Sequence, residues 1–181
     1  TTPALRATPQ EENLHEWIKT EVNGDILHIY AEKSIRNAKT KKVIITCKTL
    51  DRLDISSAGD VKGQTKFVVD QLDIDMSSAG DLELSVEANR IDISLSSAGD
   101  ADLIGSTDIF NADLSSAGDL NAFDLAAGKG EVTVSSAGNA RVYFTDEASF
   151  RCSSAGNISY KGNPVLNDIQ TSSAGSISKK D

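Results

Sequence analysis

The chain has 181 residues, enough for one sizeable domain, with 39% hydrophobic and only 5% aromatic residues. Its formal net charge of −9 argues against binding nucleic acid through phosphates, and equally against adsorption on an anionic membrane. No run approaches the 18 apolar residues that a membrane-spanning helix needs.

Residues 1 to about 12 hold two of the three prolines, Pro3 and Pro9, and predict an extended entry segment with a short strand at Ala4–Ala7. No apolar leader precedes them, so the expectation is a mature or trimmed chain. From Leu14 to Tyr30 two strands are expected, joined at the turn signal Asn23-Gly24-Asp25. Glu11–Trp17 offers one helical turn as an alternative. Lys33 to Lys42 carries five Lys or Arg and predicts a solvated loop, with a basic site for an acidic partner as the sharper reading. Val43–Cys47 predicts a strand that feeds the first of the coils that follow.

From residue 51 onward the tetrapeptide Ser-Ser-Ala-Gly occurs seven times, starting at Ser56, Ser77, Ser96, Ser115, Ser135, Ser153 and Ser172. The steps are 21, 19, 19, 20, 18 and 19 residues, a period that marks a repeat architecture. Just before each corner sits an apolar or small residue (Ile55, Met76, Leu95, Leu114, Val134, Cys152, Thr171), and three before it another, from Leu53 to Ile169. The columns between them are polar, as Asp54, Asp75 and Asp113 illustrate. The alternation resumes after the Gly, with Val61, Leu82, Ala101, Leu120, Ala140, Ile158 and Ile177 two residues on. Period-2 alternation on both sides gives a unit of strand, corner, strand and short return. One such unit cannot bury its apolar face, but stacked units can.

The fold class expected is therefore all-β: a single-stranded, right-handed parallel β-helix of about seven coils of ~19 residues. Residues 1–181 form one domain in this reading, with 1–50 capping or starting the solenoid and 51–181 forming regular coils. The corner Gly is expected to supply a backbone conformation with positive φ. The 21-residue first step holds an added short strand at Phe67-Val68-Val69. A leucine-rich repeat fails because a second alternating strand stands where its convex side should be. A left-handed hexapeptide helix fails for want of a six-residue sub-period. The last coil leaves a strand edge near Lys179-Lys180, and terminal lysines blunt such edges.

Little catalytic chemistry is visible. The two histidines, His15 and His28, lie before the repeats, and the serines are explained by corner stacking. Cys152 occupies an inward column as a small hydrophobe, and a disulfide to Cys47 is not expected. One constellation rises above background: Asp60, Asp81, Asp100 and Asp119 follow successive corners, continued by Asn139, Asn157 and Ser176. A stacked row of carboxylates is a candidate for calcium. The change to Asn favours instead a short polar cap that bonds its own corner's backbone. No other cofactor is expected.

The Ser-Ser-Ala-Gly-Asp/Asn units between Leu-x-Ile and Val/Leu-x-Leu strands, with the upstream hairpin at Thr20–Ile29, resemble the putative auto-transporter adhesin, head GIN domain family. The resemblance covers about residues 14 to 178. It implies an exported β-helix of unknown function from Gram-negative bacteria, in the periplasm or at the outer cell surface, and brings no catalytic or binding residues. Family members usually carry another strand pair before the segment that begins here. The functional expectation is a non-enzymatic surface scaffold or adhesin-like module for a surface glycan or protein. A polysaccharide-processing enzyme on the same fold is the first alternative. The second is a structural protein that associates end to end. Trp17 is the only Trp and outward aromatics are few, which argues against a sugar-stacking cleft.

Overall fold

The computed structural model describes residues 6–9, 17–33 and 42–181. The chain divides into two compact units, Thr1–Lys48 and Thr49–Asp181. No helix occurs among the described residues, and none there is long and apolar enough to cross a membrane.

The first unit holds two antiparallel pairs. Strand β2 (Ile18–Asn23) and β3 (Ile26–Ala31) form the predicted hairpin, closed by Gly24-Asp25 with Gly24 at φ 64°. Such a two-residue turn needs positive φ, which Gly adopts without a steric penalty. Strand β1 (Arg6–Pro9) pairs with β4 (Val43–Thr46). The described strand Arg6–Pro9 overlaps the end of the expected Ala4–Ala7, whose residues 4 and 5 lie outside the described residues, and the antiparallel pairing of β4 shows that it is not a coil of the helix. Leu14, His15, the alternative helical turn at Glu11–Glu16 and most of the basic run, 34–41, lie outside the described residues. Of that run, Lys33 stands 5.4 Å over the Trp17 ring.

The second unit is the expected parallel β-solenoid. Its strands are β5 (Arg52–Ile55), β6 (Val61–Lys62), β7 (Phe67–Met76), β8 (Asp81–Leu95), β9 (Asp100–Leu114), β10 (Asp119–Val134), β11 (Asn139–Cys152), β12 (Asn157–Lys161), β13 (Val165–Thr171) and β14 (Ser176–Lys179). Each pairs in parallel with the equivalent strand of the next coil. The predicted short return is absent from the middle coils. There the chain leaves one corner as a continuous strand of 14 to 16 residues and bends into the next. Likewise Phe67-Val68-Val69 is the start of β7, not a separate strand. The bending face absorbs the irregular steps. In the 20-residue step, β10 slips against β9 between Asn121 and Asp124, while Asp119 still meets Asp100 and Val134 still meets Leu114. The corners stay in register because insertions go elsewhere.

The interior consists of the predicted rows. Ile55, Met76, Leu95, Leu114, Val134 and Cys152 pair successively and are buried. Burial of this size is the main stabilising term, at ~25 cal/mol per Å² of apolar surface. Three of the five Phe also enter the core. Phe110 and Phe144 lie 6.3 Å apart with the Phe144–Phe150 pair at 5.9 Å, and Gly130 of the intervening coil pairs with Phe110. Rings of this size fit where a neighbouring coil contributes no side chain. Both cysteines are free, Cys152 buried in its row and Cys47 half-buried, its thiol pushed up by burial.

The corners differ from expectation in one respect. Positive φ occurs at Gly24, Gly105 and Gly162 among the described glycines, and at no glycine of the Ser-Ser-Ala-Gly corners. The reason for Gly there is space. A Cβ on Gly99 would lie 2.6 Å from the Gly80 carbonyl oxygen and 2.7 Å from that of Ser78. Gly118 would meet Gly99 and Ser97 oxygens at 2.7 and 2.8 Å. Stacked backbones at the corner leave no room for a side chain. The last two corners are built differently: Ser154 and Ala155 take φ 57° and 64°, and Ser173 and Ala174 take 47° and 65°. These non-glycine residues occupy the left-handed region at a cost of ~1–2 kcal/mol each.

Candidate functional site

Stacking in register turns every outward column into a row across the solenoid surface, and the candidate site is this rowed outer face. At the corners the first Ser and the Ala of coils one to five point outward, while the second Ser is turned inward in coils two to five. The Ser116 hydroxyl donates to the Ser96 carbonyl at 2.5 Å and Ser136 to Ser115 at 2.8 Å. The Ser78 and Ser97 hydroxyls are buried without a partner among the described residues. The repeats contain no histidine that could act as a base beside these serines.

The acidic row is brought together as its columns predict. Asp81, Asp100 and Asp119 stand in successive register, continued by Asn139, Asn157 and Ser176. Asp60 joins the row by accepting the Asp81 amide at 3.4 Å. The bonds of the row run from coil to coil and not within each corner, unlike the expected cap. Asn157 donates to Asn139 at 3.1 Å, and Asn139 donates to Asp119 at 2.5 Å. Amides in the later coils thus supply donors where a further carboxylate would add repulsion. No group of three or more His, Cys, Asp or Glu among the described residues is placed to hold a metal ion. His28 lies exposed on β3.

On the strand side before the corner, ion pairs link the coils. Arg52 bonds Asp54 at 3.0 Å and Asp75 at 2.6 Å, and Asp54 foremost, through a hydrogen bond, raises the Arg52 guanidinium above its ordinary value. Arg90 grips Asp92 with two bonds of 2.6 and 2.8 Å, and Asn111 adds a third at 2.8 Å. Burial pushes the Asp92 carboxyl up, yet these bonds and the Arg90 charge outweigh it and hold the group below its usual range. Arg151 bridges Glu131 and Asp168. After the corner, Lys62 pairs with Glu83, and Lys66 with Glu87 at 2.6 Å, which lowers the Glu87 carboxyl. The column sequence held the signal for the Lys62–Glu83 pair, since both stand three residues past their corner.

One cluster was missed by pattern reasoning. Phe123, Tyr143 and Lys161 face outward on three successive coils, at the bend where β10 slips. The Lys161 ammonium stands 4.4 Å over the Phe123 ring. Tyr143 pairs in register with Lys161, and its ring lies against Gly162, where a Cβ would come within 3.0 Å of it. Outward aromatics are few, but Lys161 links two of them, over the Phe123 ring and in register with Tyr143, and Arg141 lies two residues along the Tyr143 strand. Two shallow grooves of about 220 and 290 Å³ lie on the same bending side, the first over Val68 and Ser106, the second over Leu84, Ile104 and Asn121.

Solved structures share this architecture. An adhesin from Bacteroides fragilis superposes with a TM-score of 0.84 at 24% identity, over 93% of this chain and 79% of that one. An adhesin from Parabacteroides distasonis gives 0.77 at 23%, over 97% and 83%. A protein of the same organism described as lipid binding gives 0.64 at 25%, over 99% and 85%. All three descriptions carry the qualifier "putative". No curated protein matches. Residues 10–164 match the family model described as "Putative auto-transporter adhesin, head GIN domain". With most of its length and six of its seven corners inside that match, the chain belongs to this family.

Proposed function

We propose that this chain is an exported, non-enzymatic module that presents the solenoid's rowed outer face to a partner at a surface. The observation that carries the reading is the order of that face. Its polar side chains are held by cross-coil bonds such as Arg90–Asp92–Asn111 and Asn157–Asn139–Asp119. A surface ordered before contact loses less freedom on binding. The family's adhesin label supports the same reading, and supports export or surface exposure as the location. The lipid-binding description of one similar structure points elsewhere, but the rows from Leu72 to Ile158 are filled by side chains, so the solenoid interior offers an acyl chain no room.

The test is a binding screen. The chain, immobilised on beads, is presented to a glycan array and to a panel of matrix glycoproteins. Saturable binding to one class, abolished by unfolding the protein, is the expected result. Release of reducing sugar from a polysaccharide panel would replace this reading with the enzymatic one. Concentration-dependent filaments without ligand binding would replace it with end-to-end assembly.

A further inference from the structure

We infer that the outward cluster of Arg141, Tyr143, Lys161 and Phe123 is a binding site for a carboxylated oligosaccharide, a chain containing uronic acids. The inference rests on the surface-binding reading above and names its ligand class.

Five cations of the solenoid, Lys129, Arg141, Lys161, Lys179 and Lys180, form no ion pair among the described residues, and Arg141 and Lys161 are the two that stand beside the Phe123 and Tyr143 rings. In the solenoid, Arg52, Lys62, Lys66, Arg90 and Arg151 all pair with carboxylates. Arg141 and Lys161 have no carboxylate partner among the described residues, in a chain of net charge −9. They sit one coil apart and two residues along the strand, because Lys161 pairs with Tyr143. At one strand spacing and two residue rises, their Cα atoms are about 8 Å apart. Asp102 and Asp119, on the coils before Arg141, accept amide hydrogens from Asn121 and Asn139. The cluster therefore presents two cations without a carboxylate partner on the sheet surface, Lys161 among them held over the Phe123 ring.

What surrounds the cations selects among anions. The half-buried Tyr143 ring offers an apolar face to the C–H side of a pyranose, beside a Phe123 ring that holds the Lys161 ammonium 4.4 Å above it. Asn157 and Ser159, in register with Asn139 and Arg141, already bond Asn139 and Ser178, and the Asn157 amide keeps a second N–H for a sugar hydroxyl. Arg141 is suited to a carboxylate, which it can hold with two parallel bonds. An acidic peptide that binds by adding a strand needs a free edge, and here β11 is paired on both sides. Successive strands also repeat at about the length of one sugar ring, so a linear chain lying along the solenoid axis meets one coil per residue.

Calorimetric titration of the full chain with oligogalacturonate, with a neutral cello-oligosaccharide of equal length, and with polyglutamate tests the site. Oligogalacturonate is expected to bind, at least ten-fold tighter than the other two and more weakly as salt rises. Arg141→Gln and Lys161→Gln are each expected to weaken it about ten-fold, and Tyr143→Ala to weaken it further than Tyr143→Phe. Lys66→Gln, whose parent residue is paired with Glu87 outside the cluster, should leave the affinity unchanged. Unchanged melting curves establish that the surface variants fold. Equal affinity for polyglutamate, insensitivity to Arg141→Gln and Lys161→Gln, or no binding of oligogalacturonate overturns the inference. If the binding screen finds a neutral glycan or a protein while this titration fails, the surface-binding reading stands and only the ligand class falls.

Discussion

Adding one methyl group to a corner tests why glycine is there. In Gly99→Ala the new Cβ would stand 2.6 and 2.7 Å from two carbonyl oxygens of the preceding coil, those of Gly80 and Ser78. Carbon and carbonyl oxygen in contact settle at about 3.3 Å or beyond, so the overlap is about 0.6–0.7 Å at each. Neither oxygen can swing aside, because both belong to the backbone of a stacked coil. The coils must part locally, and overpacking of this kind costs about 1–3 kcal/mol. With two backbone clashes at once we expect the upper part, about 2–3 kcal/mol. For a chain of this size that lowers the melting temperature by about 4–12 °C. Gly59→Ala is the control: in the first coil the nearest atom to its Cβ is 3.9 Å away, which is ordinary contact. There the loss of unfolded-state freedom should stabilise by about 0.4–1 kcal/mol. Thermal melts followed by circular dichroism compare the two. Equal losses at Gly59 and Gly99 would refute the steric account and return the requirement to backbone conformation. No loss at either would mean that the corners are not stacked so closely.

The remaining predictions concern the polar rows and the last corners. The Asp92 carboxyl is held low in the folded chain, so the folded state binds fewer protons than the unfolded one. Its contribution is present above the ordinary carboxylate range and is lost as pH falls through the lower folded value; Asp92→Asn should therefore flatten the fall of melting temperature below about pH 4, and an unchanged acid limb would refute the assignment. Ala155→Gly, at φ 64°, should stabilise by roughly 0.5–1 kcal/mol, whereas Ala137→Gly in the preceding corner should destabilise by a similar amount; the same sign for both in urea unfolding would contradict the change of corner type. The double variant Asp81→Asn with Asp100→Asn should melt higher than the parent chain in chelator at low salt, since it removes adjacent like charges. Calcium should leave both melting curves in place, and a rise confined to the parent chain would assign the ion to this row.

The class of fold was legible because a parallel solenoid writes its geometry directly into the sequence. Each coil repeats the environment of the last, so Ile55, Met76, Leu95, Leu114, Val134 and Cys152 disclose one inward row without any knowledge of distant contacts. The family resemblance rested on the same columns. The acidic row was legible for the same reason, since register follows from the constant period.

Other features arise from contacts that the period does not specify. The corner glycines looked like a conformational requirement, because a single coil cannot reveal how near the next coil's carbonyls come. The side-chain bonds of the Asp/Asn row run between coils, a pairing that only packing decides. Strand β4 reads as a good strand by composition, but its antiparallel partner β1 lies more than thirty residues away and shares no pattern with it. Phe123 and Lys161 belong to different columns and different repeats, and the slip of β10 against β9 accompanies their approach. Periodicity in the sequence thus determined the solenoid, its inward rows and the registration of its outward ones. Tertiary structure alone decided which side chains of those rows meet, because the bend, the slip and the coil-to-coil approach depend on how the chain packs on itself and not on any residue's own preference.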